Sequence, residues 1–121
     1  MKTALIVDDS AVVRRIARSI LEEFGFDCRE ATNGQQGLEM CRASMPTLML
    51  LDWEMPVMDG LEVATQLRAQ PGEGPKILFC STHNDLEHIR LALEAGSDEY
   101  VMKPFDRDII EHKLRSVGLA D

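Results

Sequence analysis

Three acids and a lysine stand at the ends of apolar runs, where a charged side chain contributes nothing to packing. Asp8 and Asp9 follow TALIV (3–7), Asp52 follows LMLL (48–51), and Lys103 follows EYVM (99–102), directly before Pro104. Ser81 and Thr82 close a fourth run, KILFC (76–80). A lone buried carboxylate is destabilising unless it is paired or hydrogen-bonded, so the fold by itself does not call for Asp8 or Asp52. Three carboxylates brought together repel one another and raise each other's pKa unless a cation compensates. With no His or Cys in the set the ligands are hard oxygens, which suits Mg²⁺, with Mn²⁺ as a substitute, rather than zinc or copper. Plainer readings exist for single members: Asp9-Ser10 as a helix cap, Asp59 as the cap of the next helix but one, Lys103 as a solvated lysine, Ser81 as a strand-end hydroxyl. Their joint placement is what favours chemistry.

The elements that must bring these residues together are short apolar runs alternating with helix-period segments. Thr3 to Val7 reads as a strand, and Ser10 to Phe24 as a helix whose inward face is Val13, Ile16, Ala17, Ile20, Leu21 and Phe24, stopped at Gly25. Phe26 to Ala31 is a weaker strand, followed by a helix over Gly34 to Ala43 with Leu38 and Cys41 inward. Thr47 to Leu51 and Lys76 to Cys80 are strands, with helices over Gly60 to Ala69 and Asp85 to Ala95. Glu99 to Met102 is a short fifth strand, and Asp106 caps a last helix with Ile109, Ile110, Leu114 and Val117 as its apolar stripe. Such alternation implies an α/β fold with a parallel sheet covered on both faces, whose ligands bind beyond the carboxyl ends of the strands. Strand order is not readable from these patterns.

The chain has 121 residues, the size of one domain, and is 45% hydrophobic. No apolar run is long enough to cross a bilayer, and MKTALIVDD lacks the features of a signal peptide, so a cytoplasmic protein without membrane insertion is expected. A net charge of -8 opposes nucleic-acid binding. Cys28, Cys41 and Cys80 have neither disulfide nor zinc-finger spacing and read as small buried hydrophobes.

Taken together, DD at 8 and 9, LLDWEMPVMDG from 50, CST from 80 and YVMKPF from 100 resemble the receiver domain of two-component response regulators over essentially the whole chain. The resemblance implies a (βα)5 flavodoxin-like sheet in order 2-1-3-4-5 and a single receiver domain over 1–121 with no output domain. It implies a phosphoprotein rather than an enzyme, one that assists only its own phosphorylation and dephosphorylation. Asp52 would accept a phosphoryl group from a histidine kinase or phosphotransfer protein. Asp9 and Asp52 would ligate Mg²⁺ directly, Asp8 mostly through water, and Glu54 through its backbone carbonyl. Lys103 would pair with the phosphoryl group, with a cis bond to Pro104. Ser81 would move towards the phosphate and Tyr100 rotate inward, reshaping the face of the fourth helix, fifth strand and fifth helix for a downstream protein target. A monomer is expected, with dimerisation on phosphorylation as an option, and a relay intermediate or phosphate sink as the alternative role.

Glu54, Thr82 and His83 occupy positions that vary across this family and tune phosphate lifetime; Thr82 is expected to restrict hydrolytic water. His83 is read mainly as a rim residue without a partner, with a contact to Glu54 as the alternative. His88 and His112 are expected on solvated helix faces, and Trp53 at the rim. Arg14, Arg15 and Arg18 put positive charge on the first helix, where the family docks its phosphodonor, although a solvated face explains them nearly as well. Met55, Val57 and Met58 are read as loop packing over the core. A phosphatase of the haloacid dehalogenase type would want a second acid as in DxD and a cap, whereas here the second acid is Glu54. A flavodoxin would want a Ser/Thr/Gly-rich first loop where this chain has DDSAVVRR.

Overall fold

A computed structural model describes residues 2–121. Ten elements alternate: β1 (Thr3–Val7), α1 (Ala11–Glu23), β2 (Asp27–Ala31), α2 (Gly34–Ala43), β3 (Leu48–Asp52), α3 (Gly60–Ala69), β4 (Lys76–Ser81), α4 (Leu86–Glu94), β5 (Glu99–Met102) and α5 (Arg107–Ser116). All neighbouring strands are parallel, in the order β2-β1-β3-β4-β5 that the resemblance implied. None of the described helices is long and apolar enough to cross a membrane.

Alternation along each strand sorts the core into two layers. Leu5, Val7, Met49, Leu51, Ile77 and Phe79 pack beneath α2, α3 and α4. Ala4, Ile6, Leu48, Leu50, Leu78 and Val101 pack beneath α1 and α5. Both faces are covered, which is why the strands read as continuous apolar runs. Cys28, Cys41 and Cys80 are free and buried within these layers. Burial pushes the Cys28 and Cys41 thiols up to about 11 and Cys80 higher still, so all three remain neutral hydrophobes.

Each helix begins on a side-chain cap: Ser10, Asn33, Asp59, Asp85 and Asp106 accept from the backbone N–H three residues on. Ser10, and not Asp9, therefore caps α1, which leaves Asp9 available. Two apolar stripes extend further than the core they were expected to serve. Ala17, Ile20 and Leu21 are buried on α1, but Ile16 is 46% exposed, and on α5 Ile109 is 38% exposed beside the buried Ile110. Both lie at the margin of their helix's buried stripe, next to the fully buried Ala17 and Ile110. Met55 and Met58 pack against the core while Val57 points outward with φ 75, an unfavourable conformation for a β-branched residue.

Gly60 shows how tightly α3 is set against β3. A methyl group there would lie 2.3 Å from the Asp52 carbonyl oxygen and 3.0 Å from Cζ of Phe79. Gly60→Ala is expected to lower stability by roughly 1–3 kcal/mol in urea denaturation, because backbone must move to admit it.

Candidate functional site

The site residues stand where the parallel ladders run out. Val7 lies opposite Leu51, Asp52 opposite Cys80, and Ser81 opposite Met102. Backbone bonds continue one step beyond: Asp8 N–H donates to Ala31 O (3.2 Å), Trp53 N–H to Cys80 O (3.0 Å) and Lys103 N–H to Ser81 O (2.8 Å). Those bonds orient the residues that follow each strand. β1 is flanked by β2 on one side and β3 on the other, so Asp8, Asp9 and Asp52 gather where the chain changes its direction of winding.

Carboxylate oxygens of Asp8, Asp9 and Asp52 lie within 4.8 Å of one another. Lys103 Nζ donates to Asp8 Oδ2 at 2.8 Å and to Asp52 Oδ1 at 2.9 Å, an ammonium shared between two carboxylates. Asp8 and Asp52 are buried, Asp9 is exposed, and the other Asp8 oxygen accepts from Ser10 N–H at 2.8 Å. An open cleft of about 210 Å³ lies above them, lined by Asp9, Asp52, Glu54, Ser81, Thr82 and Lys103. Burial pushes the Asp52 carboxyl up to about 6; hydrogen bonding to Lys103 opposes the rise, and the charges of Asp8 and Asp9 add to it. Burial would lower the Lys103 ammonium, but its bonds to Asp8 and Asp52 outweigh this and the net shift is upward.

One ammonium against three carboxylates leaves a negative excess facing the cleft. An oxygen-rich site with that excess fits a hard divalent cation, which binds through a few carboxylates and keeps water ligands. Asp9 and Asp52 line the cleft with free acceptor capacity, while Asp8 sits behind them, engaged with Lys103 and the backbone.

Ser81 and Tyr100 both bear on the residue after Thr82. Ser81 Oγ accepts from His83 N–H at 3.0 Å, and the Tyr100 hydroxyl donates to His83 O at 2.7 Å. The Tyr100 ring is already inward, buried and stacked on Phe79 with centroids 6.4 Å apart. The Lys103–Pro104 bond is cis.

Other neighbours differ from the sequence reading. His83 does contact Glu54, with Nε2 at 2.5 Å from Oε1. His88 is half-buried rather than fully on a solvated face: its ring lies 3.9 Å from that of His83 in a stack and 4.9 Å from Trp53. Trp53 itself is buried, edge-on to Phe79, rather than sitting at the rim. The helix carries His88 round because Asp85 caps it and its carboxylate reaches the ring, 2.6 Å from Oδ1 to Nδ1. The spacing HNDLEH (83–88) held that signal, a cap residue with a histidine three positions on. Arg14 and Arg18 do not form a free basic surface. Arg14 pairs with Glu30 at 2.9 Å and donates to Asp8 O at 2.6 Å, and Arg18 pairs with Glu30 at 2.7 Å. Both fasten α1 to β2, leaving Arg15 as the exposed member of the three.

Residues 4–115 match the family described as the response regulator receiver domain. The chain is 34% identical over 119 residues to the chemotaxis protein CheY of Halobacterium salinarum, covering 98% of each. It is 37% identical over 113 residues to the ycf27 protein of Porphyra purpurea, where it spans only 46% of that longer chain. Among solved structures it superimposes on a CheY-like receiver domain protein from Methanospirillum hungatei with a TM-score of 0.86, at 29% identity over 97% of this chain and 93% of that one. Chemotaxis protein CheY4 of Vibrio cholerae gives a TM-score of 0.89 at 26% identity, with 97% and 98% covered.

Proposed function

Because the chain belongs to the response regulator receiver domain family, we propose that it accepts a phosphoryl group on Asp52 from a histidine kinase or phosphotransfer protein, in a Mg²⁺-dependent reaction in the cytoplasm, and thereby switches its binding to a downstream protein. The observation that carries this reading is the bridge of Lys103 Nζ to Asp8 and Asp52, at 2.8 and 2.9 Å, beneath a cleft open to a donor.

Asp9, Asp52 and the backbone carbonyl of Glu54 would hold Mg²⁺, with Asp8 acting through water. The bound ion supplies charge neutralisation for the carboxylates and for the equatorial phosphoryl oxygens. The protein does the rest by position. An Asp52 carboxylate oxygen attacks phosphorus and forms the acyl phosphate, while the donor's P–N bond breaks and its imidazole leaves with a proton. The Lys103 ammonium transfers its bond from the carboxylates to a phosphoryl oxygen. Ser81 Oγ, which accepts from His83 N–H, retains its own proton to donate to the phosphate. Movement of Ser81 disturbs the same backbone that the Tyr100 hydroxyl holds. Behind it lies a groove between α4, β5 and α5 lined by Ile89, Tyr100, Met102 and Ile109, apolar enough to serve as the surface that a target reads.

Trp53 fluorescence during titration with Mg²⁺ and then beryllofluoride, together with mass gain from a small phosphodonor, tests the proposal. A metal-dependent response and one added phosphoryl group on Asp52 are expected; neither change in wild type would end it. Below pH about 6 Asp52 binds a proton that Mg²⁺ must displace, so the metal affinity is expected to fall about tenfold per pH unit there.

Thr82 stands on the cleft wall, where its side chain limits the approach of water to the phosphoryl group. Thr82→Ala is expected to lose phosphate several-fold faster, read as the decay of the phosphorylated form after donor removal. Equal lifetimes would assign the control of hydrolysis elsewhere.

A further inference from the structure

The junction of β4 and α4 holds a second set of donor atoms that phosphoryl transfer does not use. His83, Asp85 and His88 each offer one imidazole nitrogen or carboxylate oxygen, and these atoms all lie within 4.8 Å of one another. The two imidazoles are stacked with planes 10° from parallel, and each meets a carboxylate, Glu54 at His83 and Asp85 at His88. The buried indole of Trp53 backs the cluster. Asp85 uses one oxygen for the ring and the other to accept from His88 N–H at 3.2 Å, so the cap of α4 fixes its place.

Two imidazoles and a carboxylate form a different donor set from the acidic pocket. Nitrogen ligands suit borderline cations such as Zn²⁺ and Co²⁺, whereas the oxygen set suits Mg²⁺. We propose that His83, Asp85 and His88 form a binding site for a divalent transition metal of the zinc class, distinct in its ligands from the Asp8, Asp9 and Asp52 pocket. One ring nitrogen of each histidine would turn to the ion, and Asp85 would add one carboxylate oxygen while its other oxygen keeps the cap. Glu54, already bonded to His83, orients that ring as carboxylates commonly do behind metal-bound imidazoles. Water completes the coordination.

His83 gives such an ion a consequence. Its N–H is bonded to Ser81 and its carbonyl to Tyr100, so gripping its ring together with the first turn of α4 restrains the loop that both side chains hold. By linkage, phosphorylation and zinc then change each other's affinity by one common factor. This last step rests on the function proposed above; the site does not.

The test uses the untagged chain with saturating Mg²⁺ and no phosphodonor. Co²⁺ absorption and Zn²⁺ calorimetry are expected to show one ion per chain, with nitrogen-ligand bands in the visible. His83→Gln and His88→Gln should each weaken binding by at least about tenfold, and so should Asp85→Asn, which preserves the helix cap. Circular dichroism and melting temperature check that the variants stay folded, and Asp52→Asn should keep wild-type zinc affinity. Equal affinity in wild type and the histidine variants, no binding at all, or a loss confined to Asp52→Asn would each overturn the proposal. Both metal-binding readouts are independent of phosphorylation, so they fail separately from the functional reading.

Discussion

Replacing Asp52 by Asn is expected to abolish phosphoryl acceptance completely and, in the absence of metal, to make the protein more stable at neutral pH by about 1–2 kcal/mol. The first effect follows from removing the nucleophilic oxygen. The second follows from the position of the carboxyl, which is 6% exposed and pushed up to about 6 by burial, with Asp8 and Asp9 contributing. Against an ordinary value of 3.8, a rise of that size marks the ionised form as strained in the fold, each pKa unit being worth about 1.4 kcal/mol. Asn loses the charge-assisted bond to Lys103, which cancels part of the gain.

The sign of the pH dependence follows from the raised value. Between pH about 4 and about 6 the folded protein holds a proton on Asp52 that the unfolded chain has released. The contribution to stability is therefore present below the unfolded value and is lost as pH rises through about 6. Urea denaturation in EDTA should show wild type declining across that window, with the Asp52→Asn variant lacking this component. With Mg²⁺ the order should reverse, because the ion stabilises the ionised carboxylate. A variant no more stable than wild type at neutral pH in EDTA would mean that pairing with Lys103 already compensates the burial of Asp52.

The same placement explains why so much was legible beforehand. An apolar run ending in an acid is a local pattern, and both the strands and Asp8, Asp9, Asp52 and Lys103 are written in such runs. Strand order came from resemblance, since pairing between β1 and β3 joins residues distant in sequence. What periodicity misread depended on partners from elsewhere in the chain. Ile16 obeys the helical period of α1 yet is exposed, because it lies at the margin of a stripe whose buried positions are Ala17, Ile20 and Leu21. Arg14 and Arg18 look like a free basic face until Glu30 of β2 comes within reach. His88 has charged neighbours in sequence, but Asp85 turns its ring onto His83 and Trp53. An inward Tyr100 likewise depends on the His83 carbonyl of another loop.

Lys103→Met should be the most destabilising substitution in the site. It leaves the side chains of Asp8 and Asp52, 4% and 7% exposed, without their shared ammonium. Breaking a buried ionic cluster by removing one charge costs about 3–5 kcal/mol, so a loss near the lower figure is expected in EDTA at pH about 8. Lowering the pH to about 5 should recover part of it, since Asp52 then carries a proton. Mg²⁺ should recover part by another route, and its affinity should rise in the variant because the ammonium no longer competes for Asp52. In the double variant with Asp52→Asn the loss should be smaller than the sum of the two single effects, as groups in direct contact are coupled; a loss equal to that sum would show that the methionine harms packing instead. Phosphoryl acceptance should stay severely reduced even when Mg²⁺ has restored the fold and binds more tightly than in wild type. Only a residue that meets the phosphoryl group itself, rather than the metal or the carboxylates alone, separates metal binding from acceptance in that way.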